Sequence, residues 1–390
     1  MNPVQRISLI LPRTLSRMLP RILMLLAVVV ALLGGLGSGL ARLGWQMDSF
    51  SQNWILVHGP LMICGFLGTL ICLERAVALA SRVRWSMLVP LVNAAGAVTL
   101  LLMRDAVAAK ALLTAGSLGL MLLFIIMLRL HPSRDMVIMT AGTLCWLIGN
   151  ALWLSGQPVY QVVHLWTAFL ILTIVGERLE LSRVRRLTRT SERLLMLTAG
   201  VYLAGVLLTI VNLDLGIRLL GAGAVLMAAW LLRYDIARRT IRQTGLVRYI
   251  AACLLIGYVW LAVGGTIGVW KGVLYAGPDY SAMLHALLLG FVFSMIFGHA
   301  PIIIPALTGL RLNYTPLFYV HLTVLHVSLV IRVGGSLIRD FPAQQWSGLL
   351  NVTAVLLFMA VTITTLYRTN RPSAVESVSS PGRTAAPSSV

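Results

Sequence analysis

Three histidines occupy equivalent positions along the chain. His58, His164 and His285 each lie about one helical turn inside the amino-terminal end of a long apolar stretch, and the two intervals between them, 106 and 121 residues, each contain four such stretches. Histidine is rare within membranes because burying an unpaired polar side chain is costly. Neutral imidazole is also a common ligand of haem iron, copper and zinc. The three positions therefore predict a bound prosthetic group, and hydrogen-bonded packing is the alternative for each histidine taken alone.

The same three stretches carry a second polar group near their other end, namely Glu74, Glu177 and His299. At a rise of about 1.5 Å per residue, these groups should lie roughly 20 to 24 Å from the three histidines. In a regular α-helix the 14 residues from His285 to His299 turn by about 1400°, so both imidazoles should face roughly the same way. This repeat predicts three four-helix units, in which the second helix of each unit carries both groups.

The second polar groups allow more than one role. Glu74 and Glu177 each precede an arginine, which fits a proton relay but is more typical of a structural ion pair. His299, His321 and His326 lie on the tenth and eleventh apolar stretches, and His299 and His321 should approach the same side of the membrane. His326 should face other neighbours, about 140° around its helix. A second metal site, a proton or quinol contact, and plain hydrogen bonding all remain open for these three histidines.

The elements that position these residues must be membrane-spanning helices. Of the 390 residues, 58% are hydrophobic and only 11% are charged, whereas about a quarter of the residues of a soluble domain are charged. Twelve stretches are long enough to cross a hydrocarbon layer of roughly 30 Å. They fall near 22–40, 54–80, 86–103, 107–128, 136–154, 159–178, 192–212, 216–233, 247–270, 280–309, 315–335 and 345–367. The predicted fold class is therefore all-α, a polytopic membrane protein of twelve helices.

The basic residues predict the orientation, because short loops rich in Lys and Arg stay in the cytoplasm. With the amino terminus inside, 24 of the 31 basic residues fall on the inner side. Both termini are then cytoplasmic, and the histidine-bearing ends of the three stretches face outward. This asymmetry explains the net charge of +19 without a nucleic acid partner.

The chain divides into a basic, amphipathic cytoplasmic segment at 1–21, one transmembrane domain at 22–368 and a cytoplasmic tail at 369–390, which its Ser, Pro and Ala content predicts to be disordered. All four cysteines fall in predicted spans without a CxxC pair, so neither a disulfide framework nor a zinc site is indicated. The glycine-dense stretches at 34–39 and 264–268 predict close helix packing and no further role.

This layout resembles subunit I of the haem-copper oxidases and, within that superfamily, the NnrS family of bacterial membrane proteins, which are described as haem- and copper-containing and linked to nitric oxide stress. The resemblance covers about residues 20–368, and it rests on layout and on the style of His58-Gly-Pro-Leu-Met and His285-Ala-Leu-Leu-Leu-Gly. It implies haem b with His58 and His285 as axial ligands, copper with His164 as a ligand, and a location in the bacterial inner membrane.

The chain also departs from the oxidase pattern. No histidine pair occurs in 192–212, Ala286 and Leu287 follow His285, and Leu-Trp-Thr-Ala follows His164. A complete oxygen-reducing binuclear centre is therefore not expected, and no catalytic residue is assigned.

The sequence thus favours a haem-binding membrane protein, with copper as a further cofactor, concerned with redox or nitric oxide stress chemistry. Its expected partners are the lipid bilayer and respiratory or denitrification proteins. The alternatives are a proton-coupled secondary transporter and an assembly or accessory protein of a respiratory complex. Transporters favour twofold repeats with sites near the membrane midplane, and the threefold period seen in this chain weighs against that class.

Overall fold

The computed structural model describes residues 3–45, 52–103, 106–182 and 188–371, without the side chains of 3–19 and 52–54. Within these ranges the chain is helical, with short connections and no strand. The predicted all-α fold class is confirmed.

Twelve helices among the described residues are long and apolar enough to cross a membrane. We label them α1 to α12. They are Pro20–Arg42, Ile55–Leu79, Arg84–Met103, Val107–Leu130, Arg134–Leu154, Val159–Leu181, Arg189–Leu208, Leu213–Tyr234, Gly245–Lys271, Gly277–Thr308, Phe318–Leu337 and Phe341–Asn370. All twelve predicted spans are confirmed, and the protein is a multi-pass membrane protein. The grouping into three four-helix units stays a prediction.

The predicted terminal segments have different outcomes. The helix that contains α1 begins at Pro3, so its backbone continues through most of the predicted segment 1–21. At the other end α12 runs to Asn370, two residues into the predicted tail. Residues 372–390, where most of that tail falls, lie outside the described residues.

Helix α6 forms the centre of the molecule. Every residue from Val162 to Thr173 is buried, as expected for a helix that is hydrophobic on all sides. On one face it packs against α5, where Gly149 admits the indole of Trp166 and Gly142 admits the side chain of Leu172. The sequence places His164 in this central helix.

Two of the described spans contain a π-helix. In α2 the α-helical residues His58–Pro60 lead into a π-helix at Leu61–Leu67, and α-helix resumes at Gly68. In α10 the α-helix Gly277–His285 leads into a π-helix at Ala286–Phe293, and α-helix resumes at Ser294. A π-helix therefore follows two of the histidines that the sequence singles out. It begins directly after His285, and after two further residues in the case of His58. Such segments are rare and often mark functional sites.

The π-helix in α10 removes the assumption behind one expectation. The predicted common facing of His285 and His299 assumed about 100° of turn per residue throughout. Eight of the 13 residues between them are π-helical, and a π-helix, with its i→i+5 hydrogen bonds, turns less per residue than an α-helix. The two histidines lie on one span, and their common facing stays a prediction.

Candidate functional site

His58 and His285 face each other at one end of the bundle, which we call the histidine end. His58 begins the α-helical part of α2 behind a 3-10 turn, Gln52–Val57. His285 is the last α-helical residue of α10 before its π-helix. Their ring centroids lie 6.5 Å apart, and their ring planes differ by only 12°. The structure therefore brings together two of the histidines that the sequence singles out.

This spacing suits two imidazoles that bind one metal from opposite sides. An imidazole nitrogen lies about 2 Å from its metal and about 1 Å from its own ring centroid, so two opposed ligands place their centroids roughly 6 Å apart. Offset-stacked aromatic rings also have centroids about 4.5 to 7 Å apart, so the spacing fits a shared metal without requiring one.

The hydrogen bonds of both imidazoles leave the same nitrogen available. Nδ1 of His58 lies 2.8 Å from the carbonyl oxygen of Gly35 on α1, and Nδ1 of His285 lies 2.7 Å from the carbonyl oxygen of Ser281. Because a carbonyl can only accept, each Nδ1 carries the proton and each Nε2 keeps its lone pair. Metal-binding histidines commonly donate their other N–H to a backbone carbonyl in this way.

A cavity of about 1470 Å³ surrounds the two imidazoles. Its walls come mainly from α1, α2, α6, α10 and α12 and from the loops at the histidine end, and most of the lining is apolar. Pockets for single small ligands and cofactors typically measure about 300 to 1,000 Å³. The cavity is therefore large enough for a macrocycle between His58 and His285.

Arg332 of α11 lines the same cavity and is only 6% exposed. Its guanidinium donates to the hydroxyl of Ser281 at 3.1 Å and to the carbonyl oxygen of Gln344 at 3.5 Å, while its Nε has no hydrogen-bond partner. No carboxylate of the described residues pairs with it. By contrast, Arg339 at the same cavity pairs with Asp279 at 2.7 Å. A buried cation without a carboxylate partner favours an anionic group in the cavity.

His164 lies beside the cavity but does not line it. Its neighbour Val163 and, one turn earlier, Tyr160 contribute to the cavity wall. His164 is only 2% exposed, and its Nε2 is buried without a hydrogen-bond partner. The predicted copper ligand is therefore a buried imidazole with one unsatisfied nitrogen.

The described residues contain no group of three or more His, Cys, Asp or Glu side chains that could hold a metal ion. A copper site at His164 and a second metal site at His299, His321 and His326 stay predictions. A site held by only two histidines, as predicted for His58 and His285, would not form such a group.

His321 and His326 each have a single hydrogen-bonding neighbour. Nε2 of His321 lies 3.0 Å from the hydroxyl of Tyr249, and its ring packs against Phe297. The indole N–H of Trp260 donates to Nδ1 of His326 at 3.0 Å. The remaining ring nitrogens of both histidines are buried without a partner. The expectation that His326 faces different neighbours is confirmed.

The second polar groups of α2, α6 and α10 gather at the opposite end of the bundle, which we call the charged end. Arg75 forms an ion pair with Glu177 of α6 and lies 3.7 Å from Glu74. Glu74 is also within electrostatic range of His299, whose Nδ1 lies 2.7 Å from the carbonyl oxygen of Met295. The two carboxylates thus share one arginine across two helices.

A second ion pair at the charged end is fully buried. Arg178 of α6 donates from Nε and Nη2 to the two carboxylate oxygens of Asp235, at 2.8 and 2.9 Å. Asp235 directly follows α8 and also accepts from the backbone N–H of Ala237. This pair connects the central helix to the end of α8.

The sequence pattern alone does not single out several residues of the site. Arg332 is one basic residue among many in the sequence, although a position inside a predicted span is a signal of function. The glycine-dense pattern around Gly35 and Gly39 predicts only close helix packing. Gly35 accepts from His58, and a Cβ at Gly39 would lie 2.9 Å from Cε1 of that imidazole. The chain offers no local signal for these contacts, because they join separate helices.

Comparison with protein families gives a match over nearly the whole transmembrane domain. The model of the family described as Domain of unknown function (DUF8744) matches residues 21–367. No curated protein matches the chain.

Proposed function

The chain belongs to the family DUF8744, and from that premise we propose that it is a haem-binding membrane protein that passes single electrons. The observation that supports this proposal is the pair of parallel imidazoles 6.5 Å apart, each with its Nδ1 held by a backbone carbonyl. The cavity around the pair has the volume for a macrocycle.

His58 and His285 would hold the haem b iron through Nε2, one from each side. The guanidinium of Arg332 would pair with a carboxylate of the haem, which accounts for a buried arginine without an acidic partner. When bound, the haem supplies a one-electron redox couple.

The residues of the site favour electron transfer over gas chemistry. With both His58 and His285 holding the iron, the site would leave no open position at which oxygen or nitric oxide could bind. The sequence also lacks the histidines of a complete oxidase binuclear centre, and their absence is consistent with electron transfer. By its resemblance to the NnrS family, we place the function in redox or nitric oxide stress chemistry in the bacterial inner membrane, with respiratory or denitrification proteins as partners.

The proposal is tested with protein purified in detergent from haem-replete cells, by a pyridine haemochrome assay and a reduced-minus-oxidised spectrum. We expect a b-type signal in the natural protein and the loss of its low-spin component in His58→Ala and in His285→Ala. His131→Ala is the matched control, because His131 is exposed beyond α4, and it should keep the signal. A natural protein without b-type haem, or an unchanged spectrum in both axial variants, would refute the proposal.

A proton-coupled transporter is the second candidate, and the charged end favours it. Glu74 and Glu177 share Arg75, so two carboxylates face one cation at one end of the bundle. Ionisable groups within membrane helices are frequent in proton relays. Uptake into proteoliposomes that depends on a proton gradient, by a protein without haem, would favour this candidate and exclude the first.

A further inference from the structure

The imidazole of His58 is held by a different helix, whereas that of His285 is held by its own. Nδ1 of His285 donates to the carbonyl of Ser281, four residues earlier on α10. Nδ1 of His58 donates to the carbonyl of Gly35, which belongs to α1 and lies 23 residues away in sequence. The position and tautomer of His58 therefore depend on how closely α1 approaches α2.

Gly39 makes that approach possible. It lies one turn beyond Gly35, and residues four apart share a helix face. A Cβ built at Gly39 would lie 2.9 Å from Cε1 and 3.0 Å from Nδ1 of His58. One of the two crowded atoms is the nitrogen that donates to Gly35, so a side chain at position 39 would push the ring away from its acceptor.

Gly35 makes further contacts beside its hydrogen bond with His58. Its carbonyl also accepts from the hydroxyl of Ser38 at 2.9 Å. A Cβ at Gly35 itself would meet the thioether of Met62, in the π-helix that follows His58. Both glycines thus border the segment that carries the imidazole.

We propose that Gly35 and Gly39 of α1 are positioning residues for His58: the Gly35 carbonyl fixes the Nδ1–H tautomer, and the missing side chain at Gly39 leaves room for the ring. His58 then presents the Nε2 lone pair toward His285. The expected effect on haem binding rests on the proposed function, but the expected effect on the position and tautomer of His58 does not.

The test compares Gly39→Ala with two other glycine variants. Gly34→Ala alters the same helix but meets only the side-chain end of Leu101, which can move aside. Gly200→Ala adds a methyl group in α7 where nothing lies within 4 Å. All three proteins are checked for folding by size-exclusion chromatography and thermal unfolding in detergent.

The first measurement is ¹⁵N NMR of histidine-labelled protein without haem, with the His58 signals assigned by their loss in His58→Ala. We expect the Nδ1–H tautomer in the natural protein and in both controls, and its loss in Gly39→Ala. The second measurement is haem titration, in which Gly39→Ala should bind about 10- to 100-fold more weakly, the usual effect of disturbing a ligand's hydrogen-bond partner.

The outcomes separate the two proposals. A folded Gly39→Ala protein with the natural His58 signals overturns the positioning role. A natural protein that binds no haem refutes the proposed function, while the NMR comparison still decides the role of the two glycines.

Discussion

At the scale of single residues, the two facing histidines have different surroundings. The hydroxyl of Ser281 lies 3.3 Å from Nδ1 of His285 and accepts from Arg332, so a cation lies two hydrogen bonds away from that imidazole. Around His58 the nearest hydrogen-bond partner is the neutral backbone of Gly35. The two imidazoles are therefore nearly parallel, but only His285 is connected through hydrogen bonds to Arg332.

Arg332→Leu tests whether the buried guanidinium serves a bound anion. If it pairs with a haem carboxylate, its loss removes a charge-assisted interaction of about 1.5 to 3 kcal/mol, or roughly 10- to 100-fold in affinity. The haem-to-protein ratio of the purified variant should fall accordingly.

Arg339→Leu is the matched control for this prediction. Arg339 lines the same cavity but already pairs with Asp279 and is half-exposed, so its loss should cost little haem. A full haem content in Arg332→Leu would show that the arginine has another purpose.

At the scale of the elements, the π-helix of α2 depends on a side chain of α3. The wider turn changes the backbone hydrogen bonding, and the carbonyl of Cys64 within it accepts from the amide of Asn93 at 2.9 Å. The same amide donates to the hydroxyl of Thr69 at 2.9 Å. Asn93 is completely buried, so these contacts cannot be replaced by water from the surface.

Asn93→Leu keeps the approximate size of the side chain and removes both hydrogen bonds. Leaving a buried carbonyl without its donor costs about 1 to 3 kcal/mol. We expect a lower midpoint of thermal unfolding in detergent and, because the π-helix begins three residues beyond His58, a changed low-spin haem spectrum.

Thr99→Val provides the comparison on the same helix. Thr99 is partly exposed, and its hydroxyl donates only to the carbonyl of Ala95, so the unfolding midpoint should hardly move. Equal midpoints for Asn93→Leu and the natural protein would contradict a supporting role of Asn93.

At the scale of the whole molecule, the polar groups separate toward the two ends of the bundle. The histidine pair and its cavity occupy one end, and the ion pairs of Arg75 and Arg178 occupy the other. The central helix α6 spans both ends, with His164 beside the cavity and Glu177 in the ion pair with Arg75.

The predicted orientation is tested by cysteine labelling with a membrane-impermeant maleimide. All four natural cysteines are buried, so the background should be low. Gln157→Cys lies in the loop at the histidine end, and Gln243→Cys lies in an exposed loop near the charged end. In intact cells we expect labelling of the first variant only, and of both after permeabilisation; the reverse pattern would invert the topology.

The sequence by itself determined the elements. Apolar stretches of membrane length predicted twelve helices, because hydrocarbon tolerates only segments that satisfy their own backbone hydrogen bonds. The repeated histidines also pointed to His58 and His285, since an imidazole within a membrane span is costly and rarely incidental.

Only the tertiary structure decided which of these residues meet. It placed His285 opposite His58 and left His164 outside the cavity, and it added Gly35, Gly39 and Arg332 from α1 and α11. It also showed the π-helices, so that α10 is not the regular α-helix that the angular prediction assumed. Periodicity along one helix specifies depth in the membrane and an approximate face, but the distance between two helices depends on side-chain packing that no single helix contains.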